Sequence, residues 1–291
     1  MKLATRSEDS LRLQDPRDSR LFNVLPKKVV SNEMIDRLFK IRHSDAVTVI
    51  AMGDSSVFGV GDHGDRLPAV GAGWTGRVAH DIAALRFVNV ARNGARARDL
   101  NRSQMKAAHG MRPSLALICI GTNDVLRGDF SPDEVEENLK QCVKELHGIG
   151  SIPIFLGLPD PVLTAPGPMA LRRILHRRVI MINETLVRVC MDNDAIFVAT
   201  WHLPYHRENW HVDRMHPSPR GHQAIAHHVR TELALLRKGK EFLPVEVERS
   251  KHFEAYWLMT NGLKWFLKRS VDLIPGLIWL IASDWVARKR T

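Results

Sequence analysis

The chain has 291 residues, 44% hydrophobic and 25% charged, the composition of an ordinary soluble protein with enough apolar residues for a sizeable core. Lysine and arginine exceed aspartate and glutamate by 42 − 32 = 10, a net charge of +10 that favours anionic partners but says nothing of fold. The three cysteines, Cys119, Cys142 and Cys190, are odd in number, lack CxxC spacing and sit in apolar or helical surroundings, so they read as reduced core thiols rather than a disulfide framework.

Residues 1–44 read as a charged leader followed by a short amphipathic helix, with Ser31 as its N-cap and Ile35, Leu38 and Phe39 on its apolar side. The leader carries Glu8, Asp9, Asp15 and Asp18 and no apolar run of signal-peptide length, so a cytoplasmic location is expected. From Val47 onward, short apolar runs alternate with longer amphipathic stretches, the pattern of a parallel sheet covered by helices. Strands are expected at 47–52, 87–91, 115–120, 152–157 and 195–199, and helices at 73–84, about 99–109, 132–149, 168–192 and 219–237. The helix after Ser131 is the best marked: Ser131 and Glu134 have capping-box spacing, Pro132 stands at the first helical position, and Gly150 follows the end. The expected organisation is a leader and helix over 1–44, a catalytic domain over 45–237, and an extension over 238–291.

In a parallel sheet of this kind, reactive groups gather in the loops at the carboxyl ends of the strands. Four blocks obey that rule: Gly53-Asp54-Ser55 after the first strand, Asn93-Gly94 after the second, Gly121-Thr122-Asn123-Asp124 after the third, and Asp213 to His216 before the last helix. A serine hydroxyl is a weak nucleophile until an imidazole takes its proton and a carboxylate orients that imidazole. Asp213 and His216, three residues apart, have the spacing for the carboxylate and imidazole, with Ser55 as the hydroxyl. Asp54 and Asp124 are expected to brace their loops by accepting backbone N–H bonds.

With these blocks in order, the chain resembles the SGNH (GDSL-type) hydrolases over roughly residues 45–237: Ser55 in GDSS, Gly94 in RNG, Asn123 in GTND, and Asp213 with His216 in DRMHP. The resemblance implies a three-layer α/β/α sandwich around a five-stranded parallel sheet, flavodoxin-like in layout. It implies a serine esterase or acylhydrolase working through an acyl-serine, with Ser55, His216 and Asp213 as catalytic residues and the Ser55 N–H, the Gly94 N–H and the Asn123 amide as oxyanion donors. No cofactor and no metal is needed for that chemistry. The chain departs from the family pattern at Ser56, where leucine is commonest, and a more polar pocket beside Ser55 is expected there. Two other functions use the same residues or fold: an acyltransferase in which an alcohol replaces water, and a non-catalytic binding or scaffold protein.

Other motifs weigh less. Gly59 to Gly64 and Gly71 to Gly76 both match G-x-G-x-x-G, but neither lies in the turn between a strand and its helix, so they read as an entrance loop and a helix start. His211, His222, His227 and His228 lack metal-ligand spacing, and the last three are expected on a helix surface. Arg172, Arg173, His176, Arg177 and Arg178 read as a solvated helix face, with an anionic headgroup site as the alternative. Trp201, Tyr205 and Trp210 are candidates for the substrate crevice, with plain packing as the alternative. The extension carries Trp257, Trp265, Trp279 and Trp285 among basic residues, and its apolar run is too short to span a membrane. It is expected to touch a membrane peripherally or to pack on the protein or a second copy. The partners expected are thus a small-molecule or lipid ester substrate, with no nucleic acid.

Overall fold

The computed structural model describes residues 24–62, 73–160, 169–201 and 207–235, with the single residues 278 and 282. Apolar runs become fully buried strands. In β4 (Leu115–Cys119) and β5 (Ile152–Leu156) every residue is buried, and in β2 (Thr48–Gly53) all but the first, as strands covered on both faces require. With β1 (Lys28–Val29), β3 (Arg86–Asn89) and β6 (Ile196–Val198) they form one sheet in the order β1-β6-β5-β4-β2-β3. Strands β2 to β6 are parallel, and β1 runs antiparallel to β6, pairing Lys28 with Val198.

The sheet therefore has six strands, not five. The additional strand lies inside the expected leader, and at two residues it is too short to leave a period-2 pattern. Its place is set by the open edge of β6, where the Ala199 N–H continues the pairing by donating to Lys27 O at 2.9 Å.

Helices cover both faces. The principal ones are α1 (Asn32–Arg42), α2 (Ser55–Phe58), α3 (Gly73–Asp81), α4 (Ala97–Asp99), α5 (Met105–Met111), α6 (Thr122–Val125), α7 (Pro132–Gly148), α8 (Met169–Asp192) and α9 (Pro219–Glu232), with a π-helical turn, Leu100–Gln104, joining α4 to α5. Helix α9 packs on α3, while α7 packs on α4, the π turn and α8. Right-handed crossovers put these two groups on opposite faces, giving the three-layer α/β/α sandwich. Between α3 and α9 the Arg230 guanidinium pairs with the buried Asp81 carboxylate.

Some local expectations shift. In α1 the buried residues are Met34 and Leu38, while Ile35 and Phe39 are exposed. The i, i+4 pair that faces the core thus differs by one position from the most apolar stripe. Only half of the capping box forms at α7: Ser131 Oγ accepts the Glu134 N–H at 3.2 Å, but the Glu134 carboxylate pairs with Arg98, whose Nε lies 2.8 Å away. Helix α9 stops at Glu232, short of 237, because Ala234 turns into the left-handed region at φ 49°. The extension from 238 onward lies outside the described residues, apart from the two single positions.

Candidate active site

The strand order reverses between β2 and β4, and loops from both sides of that switch point converge at their carboxyl ends. Strand β2 ends at Gly53, whose φ of +139° suits glycine. Asp54 then caps α2, its Oδ1 accepting the Ser56 N–H at 2.9 Å and the Ser56 hydroxyl at 2.8 Å. Ser55 is thereby the first residue of a helical turn, its side chain projecting at the strand's end. The Gly53 peptide is held on both sides by one buried amide: its N–H donates to Gln104 Oε1 at 2.7 Å, and its carbonyl accepts from Gln104 Nε2 at 2.9 Å. Sequence reasoning missed Gln104, which lies 51 residues away in the π turn and carries no local mark of its partner.

Asp213 and His216 sit on a reversing loop before α9, closed by a bridge between Trp210 and Pro217 and by His211 N–H donating to His216 O at 2.8 Å. Arg214 at the tip takes φ 61°. Asp213 Oδ1 accepts the N–H groups of Met215 and His216, at 2.9 and 3.0 Å. Its other oxygen lies 2.7 Å from His216 Nδ1, and His216 Nε2 lies 2.7 Å from Ser55 Oγ. The structure thus joins three residues from two distant blocks in one chain of short hydrogen bonds. Burial pushes the Asp213 carboxyl upward, but hydrogen bonds from His211 and His216 outweigh it and hold the group well below the usual carboxylate range. His211 Nδ1, buried, approaches Asp213 Oδ2 at 3.2 Å. That contact was also missed, although His211 stands only two residues before Asp213.

The remaining blocks close onto this chain. Arg92 N–H donates to Gly53 O at 3.1 Å, which ties the loop bearing Gly94 to the end of β2, and Gly94 turns at φ 81°. Asn123 Nδ2 donates to Ala95 O at 3.0 Å, using one of its two amide hydrogens. Asp124 accepts the Ala97 N–H at 3.0 Å and Arg96 Nε at 3.2 Å, and burial raises its carboxyl and that of Asp54 above the ordinary range. Both carboxylates brace loops. A hydroxyl, an imidazole and an oriented carboxylate so arranged can pass a proton from oxygen to nitrogen as the oxygen attacks an electrophile.

Two basic residues read as surface features, His222 and His176, are internal instead, while Arg173 and His227 of the same clusters are exposed. His222 is fully buried: its Nδ1 accepts the Trp74 N–H at 3.2 Å and its Nε2 donates to Val60 O at 3.0 Å, so it joins α9 to the segments carrying Ser55 and α3. His227 is exposed and His228 lies between, donating from Nε2 to Ala199 O at 2.9 Å. On α8, His176 pairs with Asp160 at 2.9 Å in the interior, and Arg178 Nη1 donates to Val125 O at 2.9 Å and Arg127 O at 2.6 Å.

Burial pushes the His222 imidazole down to about 4. The unfolded chain, with an ordinary value near 6.5, therefore binds the proton first as pH falls, so this stabilisation is complete above about 6.5 and is lost between about 6.5 and 4. Two to three pH units correspond to roughly 3 kcal/mol. The expected result is a fall in melting temperature over that window that is visibly flatter in His222→Gln. Identical slopes for the two proteins would contradict it.

Of the aromatic candidates, Trp210 lines a cavity of about 140 Å³ below the site's loops. Trp201 is instead buried against Phe197, with ring centroids 5.6 Å apart, and its neighbour Thr200 reaches the cavity. Tyr205 lies outside the described residues. Ser56 also faces the cavity, its hydroxyl donating to Asp54, and Thr122, Thr200, Asn209 and Arg214 line the same cavity among mostly apolar residues. Among the described residues no group of three or more His, Cys, Asp or Glu side chains is placed to hold a metal ion, and no helix is long and apolar enough to cross a membrane.

A model of the GDSL-like Lipase/Acylhydrolase family matches residues 51–224. Among solved structures, the chain is similar to LAE5, an alpha/beta hydrolase enzyme from the metagenome of Lake Arreo, Spain, at 22% identity and TM-score 0.55, over 68% of this chain and 100% of that one. It is also similar to Axe2, an acetylxylan esterase from Geobacillus stearothermophilus, at 20% identity and TM-score 0.53, over 67% of this chain and 99% of that one. At these identities the likeness is one of fold. No curated protein matches the chain.

Proposed function

The chain belongs to the GDSL-like lipase/acylhydrolase family and is an ester-acting hydrolase, and from that premise we propose that it cleaves carboxylic esters through an acyl intermediate on Ser55. The observation that carries this reading is the unbroken path from Ser55 Oγ to His216 Nε2 and from His216 Nδ1 to Asp213, each step 2.7 Å. Ser55 attacks the ester carbonyl as His216 takes its proton. His216 then protonates the departing alcohol, and Asp213 keeps the imidazole in the required tautomer and offsets its charge. Water, activated by the same imidazole, releases the acid and restores Ser55.

The developing oxyanion is assigned to the backbone N–H groups of Ser55 and Gly94 and the side-chain amide of Asn123. The Asn123 bond to Ala95 O holds that amide in place and uses only one of its hydrogens. Losing one such donor typically costs about 3 kcal/mol in the transition state. Asn123→Ala is therefore expected to lower kcat by roughly a hundredfold with KM little changed, measured on a p-nitrophenyl ester. A rise in KM at unchanged kcat would instead make Asn123 a ground-state binding residue.

A fluorophosphonate probe followed by peptide mass spectrometry tests the intermediate directly. The expected adduct lies on Ser55 and is lost in His216→Ala. An adduct on another serine, or none on a folded protein, would overturn the reading. Product analysis with added alcohols distinguishes hydrolysis from acyl transfer, since a transferase would form a new ester in place of the free acid.

A further inference from the structure

Resting on Ser55 as the acyl-bearing residue, we propose that Gln104 is a positioning residue of the reaction, its amide aligning the two loops whose N–H groups are assigned to the oxyanion. Both loops meet on one peptide oxygen. Gly53 O accepts from Gln104 Nε2 at 2.9 Å and from the Arg92 N–H at 3.1 Å. Gly53 stands two residues before Ser55, and Arg92 two before Gly94. The backbone donors at Ser55 and Gly94 therefore diverge from a single point, and Gln104 fixes it.

A glycine at 53 needs such a hold. With no Cβ and a φ of +139°, this peptide lacks the steric restraint that keeps other residues in place. On one side the strand ladder restrains it: Gly53 is in register with Cys119 of β4, and the Asp54 N–H donates to Cys119 O at 3.2 Å. Toward β3, register pairing ends at Ala51 with Asn89, before Gly53 is reached. There Gln104 Oε1 accepts the Gly53 N–H at 2.7 Å, in the place of a strand carbonyl. Gln104 is itself firmly mounted. It is buried and ends the π turn Leu100–Gln104, which is anchored to α7 by Asn101 Nδ2 donating to Asn138 O at 2.9 Å. Single π turns of this kind recur at functional sites.

The test is Gln104→Met, which keeps the length of the side chain but neither hydrogen bond, with Gln104→Glu as the milder variant should the first not fold. Asn183→Leu is the control. The Asn183 amide holds the Leu158 peptide in the same two-sided way, accepting its N–H at 2.8 Å and donating to its carbonyl at 2.9 Å, beyond the end of β5 where no assigned catalytic group stands. Fluorophosphonate labelling separates the two roles: its final extent counts folded sites, and its rate reports how well Ser55 and the oxyanion donors are aligned. For Gln104→Met, kcat on p-nitrophenyl butyrate and the labelling rate are expected to fall together by on the order of a hundredfold, with KM within about threefold and labelling still reaching completion. For Asn183→Leu both rates should stay within about threefold, even where its melting temperature falls. A labelled fraction that falls while the rate holds would reduce Gln104 to a structural role and overturn the proposal, as would equal rate losses in Gln104→Met and Asn183→Leu. A wild type labelled on Ser55, with Gln104→Met labelled and active at the same rates, would refute the positioning role alone and leave the serine esterase standing. A folded wild type that is not labelled on Ser55 would refute both.

Discussion

Ser55→Ala is expected to lower kcat on p-nitrophenyl esters by on the order of 10⁵–10⁶, leaving the fold intact. The reason is geometric. In the proposed mechanism Ser55 forms the bond to carbon, and its hydroxyl can do so only because His216 Nε2 stands 2.7 Å away to take the proton. His216→Ala should cost a similar factor, and the double variant little more than either alone, since a proton acceptor without its hydroxyl has nothing to do. Asp213→Asn should fall short of those losses yet still cost on the order of 10⁴, because the amide no longer selects the tautomer in which Nδ1 carries the hydrogen. Circular dichroism and melting temperature for each variant separate chemistry from folding. Losses that simply multiply in Ser55→Ala/His216→Ala would mean that the two residues act independently, contrary to the mechanism.

Gly53→Ala is expected to be the most damaging single substitution for stability in the site, at about 3 kcal/mol or more. A Cβ at Gly53 would stand 2.1 Å from the carbonyl oxygen of Cys119 and 3.0 Å from Val57 Cγ2. The backbone there, at φ +139°, is one that a side chain resists. The residue cannot move aside, because its register partner on β4 is Cys119 itself and the Gln104 amide grips its peptide from both ends. Ser55 is only two residues on, and a displacement near 1 Å would cost activity by about a hundredfold. Urea unfolding and kcat measure the two effects. Gly110→Ala on α5 is the control: a Cβ at that position would meet nothing within 4 Å, and a helical interior favours alanine by roughly 0.5–1 kcal/mol. A Gly53→Ala protein as stable as wild type would refute the argument.

Much of this architecture is written locally. The central strands are legible because parallel strands buried on both faces need largely apolar runs, and 115–119 and 152–156 are such runs. The site blocks at Ser55, Gly94, Asn123 and Asp213-His216 are legible for a related reason: each carries its chemistry in a few adjacent residues at the end of an element. The order of the blocks then implied one sheet edge, which the strand order agrees with.

What depended on partners far along the chain was not legible. Nothing near residue 104 marks a glutamine that clamps Gly53, and nothing near 222 separates a histidine bridging Trp74 and Val60 from its exposed neighbour His227. Strand β1 exists because β6 offers an edge, α1 turns Met34 rather than Ile35 inward because of where it docks, and Trp201 enters the core because Phe197 and Gly157 receive it. The cavity has no sequence signature, since its wall is assembled from strand ends, α8, α9 and two loops. Periodicity and motif spacing report interactions within a few residues, so the sequence alone determined most element types, the candidate site blocks and the family resemblance. Burial, edge pairing and empty volume arise only when elements distant in sequence meet, and those the tertiary structure decided.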